Sequence, residues 1–128
     1  MSEPNGKKIL IAEDEESLRT VLSDALVAHG FQTILAKDGQ DAVVQAKSAH
    51  PDLILLDVLM PRMDGRAALK AFRADPSSRN TPIIFLTNLS ELDTISDALD
   101  ADVSGYIVKS DWSIEDIVKK VRDQLGMA

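Results

Sequence analysis

No cysteine occurs among the 128 residues, which removes disulfides, thiolate nucleophiles and cysteine-ligated zinc together. No apolar run approaches the ~20 residues that a membrane-spanning helix requires. The opening segment MSEPNGKK has no apolar signal-peptide core, so a cytoplasmic location without membrane insertion is expected. Positive charge is in deficit: 14 Lys and Arg face 21 Asp and Glu, a net charge of −7. Phosphate contacts need clustered Lys and Arg, so nucleic acid is not expected as a direct partner. Interdomain linkers and low-complexity stretches are missing as well. The length suits one domain that buries roughly two-thirds of its unfolded surface. Residues 1–128 therefore read as a single domain, with an ordered core from about 7 to about 125.

Five short apolar runs are present: Ile9 to Ala12, Phe31 to Ala36, Leu53 to Leu56, Ile83 to Leu86, and Tyr106 to Val108. Helical periodicity fills the gaps between them. Leu18, Val21, Leu22, Ala25 and Leu26 recur at i, i+3, i+4, i+7 and i+8, with Gly30 where a helix C-terminus is capped. Ala42, Val43, Ala46 and Ala49 mark a second helix closed by Pro51, and Leu69 and Phe72 a third that stops before Asp75-Pro76. Ile95, Ala98 and Leu99 suggest a fourth. Ile114, Ile117, Val118, Val121 and Leu125 give a fifth, with Ser113 as its N-cap. Strand and helix alternating in this way specify an α/β fold, a parallel sheet with helices on both faces.

The run Leu53 to Leu56 is continuously apolar, as a strand buried on both faces requires, and Asp57 ends it. Open parallel sheets place ligands at the carboxyl ends of their strands. A carboxylate there can be a metal ligand, a nucleophile, or both, and the other strand ends decide. Strand one delivers Glu13 and Asp14, strand four Thr87, and strand five Lys109. Crowded carboxylates repel and need a cation; Mg²⁺ (or Mn²⁺) suits oxygen ligands combined with a substrate phosphate. Lys109 then pairs with a phosphoryl oxygen, the Thr87 hydroxyl donates to another, and Asp57 is the attacking nucleophile. Positioning and charge neutralisation suffice for such a transfer, so the lack of a well-placed histidine is no objection.

These residues and their surroundings resemble the receiver domain of two-component response regulators, in its chemotaxis-regulator-like form. The matching segments are Ile9 to Glu15, Asp57-x-x-Met60-Pro61-x-Met63-Asp64-Gly65, Ile83 to Thr87, and Gly105 to Lys109. They span residues 7 to about 125. The resemblance implies a flavodoxin-like (βα)5 fold with strand order 2-1-3-4-5. It further implies that Asp57 accepts a phosphoryl group from the phosphohistidine of a sensor histidine kinase or a histidine phosphotransfer protein. Asp14, Asp57 and the backbone carbonyl of Leu59 would bind Mg²⁺, with Glu13 acting through water. Thr87 and Tyr106 would form the switch, altering a face made by the fourth helix, fifth strand and fifth helix for a downstream protein. The expected product is a stand-alone receiver that catalyses only its own phosphoryl transfer and autodephosphorylation and is otherwise no enzyme. The alternatives are a degenerate docking receiver that takes no phosphate, and an aspartyl-nucleophile phosphatase. The latter class carries a second Asp two residues after the nucleophile, where Leu59 stands here.

Departures from the family pattern carry expectations of their own. Glu13 stands where Asp is more usual, one methylene longer. Ser110 follows Lys109, where the family usually has a cis proline; a cis bond to any other residue costs ~3 kcal/mol, which leaves the geometry there open. Asn88 replaces a small residue and Asp102 a common Gly. Leu59, Asn88 and Leu89 border the approach of a hydrolytic water, so slow autodephosphorylation is expected. Met60 and Met63 read as packing and turn residues, and Asp64 as the cap of the third helix with Gly65 easing the turn. His29 and His50 fall at helix C-termini, where an imidazole is favoured by the dipole, and Trp112 is open between packing and partner contact.

Overall fold

The computed structural model describes residues 4–58, 60, 63–88 and 103–127. The apolar runs become strands β1 (Lys8–Ala12), β2 (Gln32–Ala36), β3 (Leu53–Asp57), β4 (Ile83–Thr87) and β5 (Gly105–Val108). Between and after them lie α1 (Glu16–Ala28), α2 (Gly39–Ala49), α3 (Gly65–Ala74) and α4 (Ile114–Gln124), the last being the fifth helix of the sequence pattern. The helix expected around Ile95 to Leu99, and Asp102 after it, lie outside the described residues. All strands pair in parallel in the order β2-β1-β3-β4-β5, the flavodoxin-like arrangement that the resemblance implied.

Strand periodicity divides the core in two. Leu10, Ile54, Leu56 and Phe85 point to one side, where α2 and α3 cover them with Ala42, Ala46, Leu69 and Phe72. Ile9, Ile11, Leu55, Ile84 and Ile107 point to the other, against Leu22 and Leu26 of α1 and Ile117 and Val121 of α4. Because both faces are covered, β3 and β4 are buried at every position, which is why their sequences are continuously apolar rather than alternating.

Local signals end the elements where the chain must turn. Gly30 sits at φ +91°, its amide donating to Val27 O at 3.0 Å and the Phe31 amide to Leu26 O at 3.1 Å. This 5→2 and 6→1 pairing is a Schellman cap, with Phe31 and Leu26 in one apolar cluster. His29 and His50 are the C-cap residues of α1 and α2, His50 in the left-handed conformation at φ 52°. His29 Nε2 also lies 3.5 Å from Glu115 Oε2, tying α1 to the first turn of α4. Ser113 and Asp116 form a reciprocal capping box at α4. Two positions differ from the pattern. Val21 is exposed because α1 presents Leu22 and Leu26 to the sheet, which puts Val21 beyond the edge of the buried stripe. Phe31 precedes β2 instead of opening it, buried as part of the helix cap.

Asp64 caps α3, its side chain accepting from the Ala67 amide at 2.9 Å. Gly65 brings that helix onto the end of β3: its amide donates to Val58 O at 2.8 Å. A Cβ there would overlap the Asp57 carbonyl oxygen and lie 2.8 Å from Val58 Cα. Overpacking against backbone outweighs the helix propensity that alanine gains. Gly65→Ala is expected to lose about 1–2 kcal/mol in urea unfolding; an unchanged or higher midpoint would show that the approach is not limiting.

Candidate functional site

Register delivers the functional side chains to one rim. Ala12 pairs with Leu56, so Glu13 and Asp57 leave neighbouring strands at the same level. Asp57 pairs with Leu86 and Thr87 with Val108, so Thr87 and Lys109 follow one step further along each strand. The Lys109 amide donates to Thr87 O at 2.8 Å, extending the ladder beyond β5. Asp57 and Thr87 are buried, and Glu13 is completely so. Asp14 is exposed at the mouth.

Carboxylate oxygens of Glu13, Asp14 and Asp57 lie within 4.8 Å of one another. The Lys109 ammonium enters this group, 2.7 Å from Glu13 Oε1 and 3.2 Å from Asp57 Oδ2. Glu13 Oε2 accepts from the Glu15 amide at 3.1 Å. The other oxygen, Oε1, is buried against the Lys109 ammonium. Burial, then the hydrogen bond and charge of Glu13, push the Asp57 carboxyl up to about 8, against the downward pull of Lys109. Burial lowers the Lys109 ammonium, but contact with Glu13 and the charge of Asp57 outweigh it and its pKa is raised. The two shifts agree physically: one cation is shared by two buried carboxylates, which leaves the cation over-stabilised and Asp57 under-compensated. An acidic pocket of oxygen donors with an incompletely satisfied buried carboxylate fits a hard divalent cation held by Glu13, Asp14 and Asp57.

The sequence-predicted residues Glu13, Asp14, Asp57, Thr87 and Lys109 thus converge. Glu13 reaches Lys109 directly, using the extra methylene that distinguishes it from Asp. The Thr87 hydroxyl donates to Asn88 O at 3.1 Å, and Asn88 is exposed beside it. Tyr106 lies on β5 and is exposed, with 43% of its surface open to solvent. Leu59 and Leu89 lie outside the described residues. The Lys109–Ser110 peptide is trans, with no cis bond among the described residues. Trp112 packs partly buried against the α1–α4 side of the core, while Met60 and Met63 pack on the other side.

Sequence reasoning missed two neighbours of the site. Arg19 Nη1 on α1 donates to the Glu13 carbonyl at 2.7 Å; a cation near a helix N-terminus, against the dipole, was the available signal. Gly39 opens α2 so close to Met63 that a Cβ would overlap the Met63 carbonyl oxygen. The turn after Asp57 is therefore gripped by Gly39 and Gly65.

Comparison with known proteins gives a consistent answer. The sequence matches the family described as "Response regulator receiver domain" over residues 9–122. It is 39% identical over 116 residues to the transcriptional regulatory protein PdtaR of Mycobacterium tuberculosis, covering 90% of this chain and 55% of that protein. The receiver domain of sensor histidine kinase PA1611 from Pseudomonas aeruginosa, solved with magnesium coordinated in its active-site cleft, superposes with a TM-score of 0.85. Identity to it is 30%, covering 94% of this chain and 98% of that one. Chemotaxis response regulator CheY4 of Vibrio cholerae superposes with a TM-score of 0.84 at 30% identity, covering 91% and 97%. The chain spans about half the length, or less, of the curated relatives it matches.

Proposed function

Because the chain belongs to the response regulator receiver domain family of two-component signalling, we propose that its acidic rim accepts a phosphoryl group on Asp57. The observation that carries this reading is the buried Asp57 carboxylate with the Lys109 ammonium 3.2 Å away. That pair is a nucleophile and an electrophile-stabilising cation at one strand-end rim.

The donor is the phosphohistidine of a sensor histidine kinase or histidine phosphotransfer protein. An Asp57 oxygen attacks phosphorus in line, an acyl phosphate bond forms, and the P–N bond breaks with its electron pair returning to the imidazole. Lys109 moves from carboxylate to phosphoryl oxygen, and the Thr87 hydroxyl turns from Asn88 O to donate to another. Glu13, Asp14 and Asp57 would hold Mg²⁺, which would supply neutralisation of charge on the carboxylates and the incoming phosphoryl group. Output follows from Thr87 moving inward and Tyr106 filling the space it leaves, which changes the surface around β5 and α4 for a protein partner. The domain acts as a phosphoacceptor and not as a turnover enzyme. Among the described residues no helix is long and apolar enough to cross a membrane, and we place its action in the cytoplasm beside the kinase.

Acetyl phosphate with Mg²⁺ is expected to add one phosphoryl group to the wild-type protein by intact mass spectrometry, and none to Asp57→Asn. The same addition on the variant would move the acceptor elsewhere. No addition to the wild type would favour a docking receiver, and steady turnover of assorted phosphoesters would favour a phosphatase.

A further inference from the structure

Glu13 is held from three directions, through its amide, its side chain and its carbonyl. The Glu13 amide donates to Ala36 O of β2 at 3.1 Å. The Glu13 side chain is anchored by the Glu15 amide at 3.1 Å and by Lys109 at 2.7 Å. Its carbonyl accepts from Arg19 Nη1 at 2.7 Å, across six residues and from a partly buried position. The Glu13 carbonyl and the Asp14 amide belong to one planar unit. Fixing that oxygen fixes the plane from which the Asp14 side chain departs in its exposed place at the mouth.

Arg19 sits here at an electrostatic disadvantage to helix and cation alike. It lies in the second turn of α1, near the positive end of the helix dipole, and it places a guanidinium beside a pocket that is to hold a divalent cation. Helix α1 also has no side-chain N-cap hydrogen bond at Glu15, so its start is tied to the end of β1 by the Glu15 amide on the Glu13 side chain and by Arg19 on the Glu13 carbonyl.

We infer that Arg19 is a positioning residue for the cation site: through the Glu13 carbonyl it orients Asp14 for metal ligation. This rests on reading Glu13, Asp14 and Asp57 as a divalent-cation site. Partners that orient metal ligands without touching the metal typically contribute 10–100-fold to affinity.

The sign of the effect separates positioning from charge. Removing a nearby positive charge should by itself tighten Mg²⁺ binding, so electrostatics ranks Arg19→Ala above Arg19→Lys and wild type. Positioning ranks them the other way: wild type, then Arg19→Lys, which keeps one donor able to reach the carbonyl, then Arg19→Ala. Isothermal titration of the full chain with MgCl₂ at fixed pH and ionic strength is expected to show about tenfold weaker binding for Arg19→Ala, with Arg19→Lys between. Equal or tighter binding by Arg19→Ala overturns the inference. If Arg19→Ala does not fold, Arg19→Lys decides: its charge equals that of arginine, so a severalfold loss supports positioning and equality with wild type overturns it. A wild type that binds no Mg²⁺ at millimolar concentration overturns the cation-site reading itself. That outcome differs from one in which all variants bind alike.

Discussion

Lys109→Met is expected to cost the metal-free protein about 3–5 kcal/mol at pH 9, the usual penalty for stranding a buried charge by removing its partner. It should cost far less near pH 5. The reason lies in which groups remain. Glu13 and Asp57 are both buried, and Lys109 is the cation that both contact. Without it the cheapest response is to keep a proton on Asp57, whose carboxyl already sits at about 8 through burial and then Glu13. Its folded pKa is thus raised above the unfolded value near 4. Stability from that bound proton is fully present below about pH 4 and is lost as pH rises through about 8. Losing the downward pull of Lys109 moves the upper limit higher, so the variant falls away from wild type increasingly at alkaline pH. Millimolar Mg²⁺ should restore much of the difference. Urea unfolding at pH 5, 7 and 9, with and without Mg²⁺, measures all of this. A loss independent of both pH and Mg²⁺ would mean that Lys109 acts through packing alone.

Asp57→Asn is expected to do the opposite and stabilise the metal-free protein, by on the order of 1–3 kcal/mol at pH 7–8. The amide keeps the volume of the side chain and removes the group that burial and Glu13 disfavour as an anion. Lys109 and Glu13 are then left as a one-to-one pair at 2.7 Å. The same sign argument fixes the pH profile: the decline of wild-type stability between about pH 4 and 8 should flatten in the variant. Mg²⁺ should stabilise Asp57→Asn less than wild type, because one ligand charge is gone. A variant less stable than wild type in EDTA, with an unchanged pH slope, would contradict the strained-carboxylate account. The same substitution removes the proposed phosphoacceptor, so a better-folded but unphosphorylated protein separates loss of chemistry from loss of structure.

Much of this was readable before any coordinates. Continuous apolar runs marked β3 and β4 because both faces are covered by helices, and the residue after such a run necessarily emerges at the ligand-binding rim. Caps were legible for the same local reason: Gly30, Asp64 and Ser113 act within a few residues of themselves. What stayed hidden depends on distance and rotamer. That Glu13 meets the Lys109 ammonium follows from one methylene and from the stagger of four strands, neither of which a linear pattern encodes. Arg19 reaches a carbonyl, and every residue has one, so nothing in the sequence singles out its target. Gly39 reads as an ordinary helix start until α3 and the turn after β3 are in place against it. The trans Lys109–Ser110 bond is the cheaper isomer, but only the backbone could show that the chain keeps it where a proline is customary.

The order of the sheet has a consequence during synthesis. Glu13, Asp14 and Asp57 all belong to β1, β3 and the turn after β1, which leave the ribosome together as the first half of the domain. Lys109 follows Asp57 by about fifty residues, a delay of roughly 3–10 s at ordinary translation rates. During that interval the nascent acidic rim has no lysine of its own to lean on. Protons and dissolved divalent ions are the neutralisers at hand for these carboxylates until Lys109 emerges.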